Sequence, residues 1–455
     1  MERARVNDLI MNKAVIKSFL WIVPGLIISA MVFVSCKTTQ TVSDSKDLSY
    51  LYNPTKNPIT PQYNVINQSD DRSVLDVKFS GNELFFSEAN SKGLPTSEML
   101  ITVKLFSISQ GRVLADTVHT DLSIEKVAGK HEYLYEIPLK VKKGTEYIAE
   151  IKILDRLRLL VMQAFVPFNT LSDINNYNFL AIDYFQKSEL FEPVVRKDEF
   201  VNLVYLRGKP DSLYISFYKP FRQIPDPPGM LLPEKTIDYG PDTTVVLPYS
   251  DTLPMMFPKE GIYMCTIGRD TSEGYAFMNF GPSFPGMNTP EAMIEPLAYL
   301  TTPDELDQMR SAPRPKVALD EFWIKCANNV DKARELIRIY YTRVQYADLY
   351  FNSYKEGWRT ERGMIYLIYG PPDKVYKSID GETWGYRKPI VKSTWGTRYI
   401  VKEEYLYFNF KRKESIFTNN DYYLSRSETL VSFWAQAVAC WKKGIVFRLD
   451  NPEEF

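Results

Sequence analysis

The stretch Gly357-Trp358-Arg359-Thr360-Glu361-Arg362-Gly363, continued by MIYLIYGPPDKVY, constrains the fold more than any other part of this chain. Three glycines, two adjacent prolines and a tryptophan fall within about twenty residues, a density of backbone punctuation that marks a locally specified module. Glycine permits conformations and close approaches that a Cβ forbids, and proline fixes φ and removes a donor. Read from the residues, Gly357 takes the left-handed position that ends a long helix, and Trp358 folds back on the last helical turn. Thr360 to Gly363 read as a polar turn and Met364 to Tyr369 as a short apolar strand. Gly370-Pro371-Pro372-Asp373 is a rigid turn capped by Asp373. Strands follow at 374–376, at ETWGY (382–386) and at YLYFNF (405–410).

Ahead of the signature the hydrophobic period is two. In MLITVKLFSI (99–108), Met99, Ile101, Val103 and Leu105 share one face. In EYIAEIKIL (146–154), Tyr147, Ala149, Ile151 and Ile153 do the same. VLDVKF, ELFF, RVLADTV and EYLYEI supply further strands. A second β-rich region holds NFLAIDYF, VNLVYL, SLYISFYK, TTVVLP, GIYMCTIG and GYAFMNF. PFRQIPDPPGMLLP (220–233) interrupts it and reads as an extended loop, because its prolines cannot join a central strand. Near residue 300 the period becomes helical. Thr302-Pro303-Asp304-Glu305 is a capping box. Leu319, Phe322, Trp323 and Cys326 mark one helix. Leu336, Ile337, Tyr340, Val344, Ala347 and Phe351 mark a longer one, capped by Asn329 or Asp331. The expected fold class is α+β and multidomain: two β-sandwich (Ig-like) regions, then a C-terminal helical, α+β module.

The N-terminus predicts an address. Phe19 to Val34 is uncharged and mostly apolar, Lys13 and Lys17 precede it, and Val34-Ser35-Cys36 closes it. It is short for a spanning helix and has the build of a secretory signal, for which Met11 is a more ordinary start than Met1. A cysteine after a small residue resembles the lipobox of bacterial lipoproteins. That resemblance implies lipid attachment at Cys36, with a palmitate-type acyl anchor. Lys37 and the lack of an acidic run then favour the periplasmic face of the outer membrane over the cell surface. The expected order is a signal peptide over 1–36, a flexible tether over 37–70, a β-sandwich over 71–170, a second β-rich domain over 171–285, and the α+β module over 290–455.

Composition excludes several functions. With 55 Lys plus Arg against 56 Asp plus Glu, no net field favours nucleic acid. Cys265, Cys326 and Cys440 are too widely spaced for a disulfide framework or zinc site. The two histidines, His119 and His131, read as surface residues. No nucleophile elbow, zinc-protease helix, phosphate loop or dinucleotide fingerprint is present, so no cofactor or metal is expected. Glu361, Asp373 and Glu382 surround the signature turns and could form a carboxylate pair of the glycosidase kind. The structural alternative is that Asp373 caps its turn and Glu361 pairs with Arg359 or Arg362. Tyr346, Tyr350 and Tyr354 form a ridge that either packs under a sheet or meets a sugar or protein partner.

On these residues the stretch resembles the GWxTD domain of predicted Gram-negative lipoproteins, over roughly 290–420 with its core at 357–376. Glu361 stands where that family has Asp. The resemblance implies an architecture and an envelope setting, with Gly357, Trp358, Thr360, Glu361, Gly363, Gly370, Pro371, Pro372, Asp373 and Trp384 as signature residues for fold or interaction. The order GPPDKV, ETWGY, YLYFNF is also similar to the pattern of SmpA-type assembly lipoproteins. The function expected is a non-enzymatic, lipid-anchored scaffold among envelope proteins, in outer-membrane assembly or secretion. The alternative is a polysaccharide-binding protein or a carboxylate hydrolase.

Overall fold

The computed structural model describes residues 46–450, apart from 57–58, 89–92, 110, 230–239, 271, 389–390 and 396–397. The leader segment and Cys36 lie outside the described residues. No helix among those described is long and apolar enough to cross a membrane.

The first β region is a sandwich of two antiparallel sheets. One sheet, in the order β1-β2-β5, consists of β1 (Gln62–Asn67), β2 (Arg72–Ser80) and β5 (Glu132–Lys140). The other, in the order β4-β3-β6-β7, consists of β3 (Thr96–Ser107), β4 (Val113–Glu125), β6 (Glu146–Asp155) and β7 (Leu160–Asn169). The period-two alternation turns Met99, Ile101, Val103 and Leu105 inward, where they meet Leu75, Val77, Ile137 and Ile151 in one core. ELFF is not a strand; residues 83–86 form a turn and an irregular segment.

The second β region pairs a sheet of order β12-β9-β8 with one of order β11-β10-β13-β14. The first contains β8 (Phe179–Asp183), β9 (Phe200–Tyr205) and β12 (Met255–Met256). The second contains β10 (Ser212–Tyr218), β11 (Thr243–Pro248), β13 (Gly261–Thr266) and β14 (Tyr275–Asn279). Phe179, Leu203, Leu213, Cys265 and Phe277 form its core. The described part of the proline-bearing strap after β10, residues 219–229, makes no strand and runs against the C-terminal module, where Arg426 donates to Asp226 O. A Cβ on Gly229 would come within 2.0 Å of Val431.

The C-terminal module sets six described helices against a sheet with one buried face. The helices are α1 (Pro290–Ile294), α2 (Pro303–Arg310), α3 (Pro315–Ala327), α4 (Val330–Phe351), α5 (Glu361–Tyr369) and α6 (Glu428–Lys442). The sheet runs β15 (Lys374–Lys377), β16 (Gly381–Arg387), β19 (Tyr405–Arg412), β20 (Tyr422–Leu424), while β17 (Val391–Trp395) and β18 (Arg398–Lys402) form a separate hairpin. Thr302 makes the full capping box with Glu305, and Asn329 rather than Asp331 caps α4. Leu336, Tyr340, Val344 and Phe351 run along the buried stripe of α4. The chain is thus α+β, with two β-sandwich regions followed by a helical module.

Two further sequence expectations fail here for physical reasons. MIYLIY is helical, not extended. Met364 to Tyr369 are all buried, so no polar face reveals the 3.6-residue period. The polar stretch after Cys36 is also not a tether throughout 37–70. Leu48 and Tyr52 sit in the C-terminal core, Leu48 N–H donates to Val375 O at 2.8 Å, and β1 begins at Gln62. A few well-placed apolar and aromatic residues fix a segment whose average composition is polar. Tyr50 meanwhile contacts β7, accepting from Gln163 N–H at 2.8 Å, so this short stretch staples the first sandwich to the last module.

Candidate functional site

The signature is a stack of three backbones. Helix α4 ends at Phe351, and Gly357 opens a single 3₁₀ turn, Gly357–Arg359, with no left-handed φ. The C′ role expected for Gly357 is therefore wrong; the position is glycine for lack of room. A Cβ there would stand 1.9 Å from the Ala347 carbonyl oxygen on α4. Gly363, in the first turn of α5, meets the same limit, with a Cβ 1.9 Å from Gly357 O. Thr360, expected in a polar turn, is the N-cap of α5. Its Oγ1 accepts from Gly363 N–H at 3.1 Å and donates to Gly357 O at 2.7 Å.

Trp358 is fully buried, with the Arg359 guanidinium 4.0 Å from its ring centre. Its N–H donates to Asp348 Oδ1 at 3.1 Å, and Tyr299 Oη donates to its carbonyl at 2.9 Å. Burial, and then the charge of Glu356, pushes the Asp348 carboxyl well above the usual carboxylate range. The sequence reading misses Asp348. A signal for it exists: an acid placed four residues after Val344 and eight after Tyr340, inside the apolar stripe of α4.

The three candidate carboxylates do not converge on one open cleft. Glu361 pairs with neither Arg359 nor Arg362; the helical start turns it to Arg426, at 2.8 and 3.0 Å. Burial nevertheless raises its pKa. Arg426 also donates to Asp226 O on the strap at 3.0 Å. Asp373 ties the turn to the sheet, accepting from Arg387 N–H at 2.8 Å. Glu382 is the centre of a buried network. It accepts from Tyr52 Oη at 2.8 and 2.9 Å, from Arg362 at 3.1 Å and from Trp384 Nε1 at 2.9 Å, and pairs with Lys377 at 3.2 Å. Burial alone would raise its pKa, but Lys377, Arg362 and the two hydrogen bonds bring it down to about 2. The cavity beside Glu382 is about 60 Å³, room for a few waters and not for a sugar ring.

Gly370 ends α5 with φ +83° and accepts from Tyr386 Oη at 2.8 Å. Arg343 of α4 caps the helix, donating to Leu367 O at 2.9 Å and Ile368 O at 3.0 Å. Pro371 is half-buried and Pro372 buried. Trp384 is fully buried among Tyr52, Phe351 and Phe410. Tyr346 and Tyr350 stack 5.7 Å apart on the edge of the core, but Tyr354 lies beyond α4 against Phe221 and Phe417, so no three-tyrosine ridge exists. His119 and His131 are exposed. Among the described residues no group of three His, Cys, Asp or Glu side chains could hold a metal ion, and Cys265, Cys326 and Cys440 are buried and not disulfide-bonded.

An open cleft of about 380 Å³ lies directly over this stack. Its walls include Phe221 and Arg222 of the strap, Phe280 and Phe284 after β14, Glu291 of α1, and Arg359. Arg359 is locked in place: it pairs with Glu356 at 2.8 Å and donates to Arg222 O at 2.8 Å. Arg222 pairs with Glu260 at 2.8 Å near solvent. The wall is thus aromatic below and charged at the rim, with the signature as its floor.

Residues 261–443 match the family model of the GWxTD domain. The chain carries a GWxTD domain. The match exceeds the 290–420 expected at both ends, taking in β13, β14 and α6. The packing explains its start, since Ile262, Met264 and Met278 share a buried cluster with Tyr354 and Phe417 of the GWxTD module. No curated protein matches the chain significantly. Among solved structures, the beta-glucuronidase of Bacteroides uniformis is similar over 36% of this chain and 16% of its own, at 14% identity and a TM-score of 0.18. A likeness that slight carries no argument.

Proposed function

We propose that this GWxTD protein is a non-enzymatic interaction or scaffold subunit of the bacterial envelope, anchored by a lipid on Cys36 at the periplasmic face of the outer membrane, where it serves assembly or secretion machinery. One observation carries the reading: the signature side chains that could do chemistry are engaged inside the fold. Glu382 is ionised and enclosed, Glu361 is paired with Arg426, Asp373 holds a strand end, and Trp384 has no face for a ligand. What the signature offers outward is the shaped, aromatic and charged cleft above it, of a size to take a partner's side chains.

Two experiments test this. Crosslinking in intact cells, followed by pull-down through a C-terminal tag, should recover outer-membrane barrels or other envelope lipoproteins. Phe284→Ala with Glu291→Lys should reduce that recovery without lowering the melting temperature. A clean pull-down, together with glycan-array binding lost on changing Tyr350 or Phe284, would instead establish the polysaccharide reading. Cys36→Ala should release the protein from the membrane fraction and change its mobility. Unchanged fractionation would refute the lipid anchor.

A further inference from the structure

The outer face of the β1-β2-β5 sheet carries a polar row that the second β region covers. Along β2, Leu75, Val77 and Phe79 face the core, so Asp76 and Lys78 face outward. Asn64 on β1 and Glu136 on β5 are the cross-strand neighbours of Asp76. The segment from Glu189 to Glu192, between β8 and β9, lies over this row. Asn64 Nδ2 donates to Glu189 Oε1 at 2.6 Å, Gln62 Nε2 donates to Glu192 Oε1 at 3.2 Å, and Lys78 Nζ stands 4.7 Å from the Phe191 ring centre. Asn64 is the cross-strand neighbour of Asp76, so its hydrogen bond sets the Glu189 carboxylate beside the Asp76 carboxyl. Asp76 is only 4% exposed, and its Oδ1 has no donor among the described groups. Two carboxyl groups held side by side in a largely buried seam disfavour each other's ionisation, which a shared proton relieves.

We propose that Asp76 and Glu189 share a single proton, and that this proton clips the Glu189–Glu192 segment of the second β region onto the first sandwich, so that the joint tightens in acid and loosens in base. Glu136 and the Tyr275 hydroxyl are the other titratable groups facing this pair, and Glu192, on the same segment, is held by Gln62. Lys78, the positive group bearing on Glu189, is also paired with Glu132 at 3.3 Å. Among the described residues, Asp76, Glu136 and Glu189 do not form a metal-ligating group. Burial, then the charges of Glu189 and Glu136, push the Asp76 carboxyl up to about 8 from 3.8. A carboxyl raised on folding stabilises fully below its unfolded value. The joint is therefore strongest below about pH 4 and weakens as pH rises to about 8.

The test uses the full chain, with unfolding midpoints and hydrogen exchange of residues 183–192 measured from pH 5 to 9. In the wild type, exchange corrected for intrinsic rate should rise about tenfold or more across that range, each tenfold being ~1.4 kcal/mol. Asp76→Asn supplies a permanent donor to Glu189, and Glu189→Gln supplies one to Asp76. Each variant should flatten the profile, and Asp76→Asn should exceed the wild type in stability at pH 9. Profiles parallel to the wild type in both variants would overturn the proposal. So would millimolar calcium chloride protecting the wild type but neither variant, which would make the bridge a metal ion.

Discussion

Glu382→Gln is expected to destabilise the chain by about 3–5 kcal/mol near neutral pH, the usual result of removing one partner from a buried ion pair. Arg362 and Lys377 would lose the carboxylate they share, Arg362 while fully buried, and Tyr52 and Trp384 would face a group able to satisfy only some of them. The network also joins distant parts of the chain, since Tyr52 lies 330 residues before Glu382. Its loss should release the N-terminal staple as well as weaken the sheet. The pH dependence has a definite sign. Glu382 is held at about 2, below its ordinary 4.5, so its contribution is complete above about pH 4.5 and lost as pH falls through about 2. Urea unfolding of wild type and variant at pH 7 and pH 2.5 should show a gap that narrows in acid. Equal stability at pH 7 would mean that the network is incidental to the fold.

How far the sequence discloses this arrangement depends on the length scale of each interaction. Period-two strands such as β3 and β6 are legible because alternation is local and one face is buried. The Thr302 capping box is legible for the same reason. The GWxTD core is legible as a motif but not as a structure. Its helix α5 is buried on every side and so presents no stripe, and its glycines answer to backbones packed on them rather than to their own torsions. The Glu382 network is invisible. Its members come from residues 52, 362, 377, 382 and 384, and nothing in their spacing reveals that the first joins the others. The partner of Glu361 is equally hidden, because Arg426 is 65 residues away while two nearer arginines, Arg359 and Arg362, compete for the assignment.

Gly357→Ala should destabilise the protein by ~3 kcal/mol or more, at or beyond the upper end of ordinary overpacking. The atom in the way is the Ala347 carbonyl oxygen, 1.9 Å from the new Cβ, and helical backbone cannot move aside as a side chain would. Relief requires the Gly357–Arg359 turn to lift off α4. That would break the Asp348 hydrogen bond to Trp358 N–H and shift Gly363, which itself packs on Gly357 O. Gly357→Asn separates the two explanations of this glycine. A left-handed helix-ending position tolerates Asn, which visits that region readily. A position limited by contact should reject Asn even more strongly than Ala, because Asn is larger. Gly129→Ala is a useful control: that residue has φ +77° with nothing within 4 Å of an added Cβ, so only torsional strain applies, worth ~1–2 kcal/mol. In thermal unfolding the largest loss is expected for Gly357→Asn, the next for Gly357→Ala and the smallest for Gly129→Ala. If Gly357→Asn proved milder than Gly357→Ala, the close contact between α4 and the signature turn would not be what selects glycine.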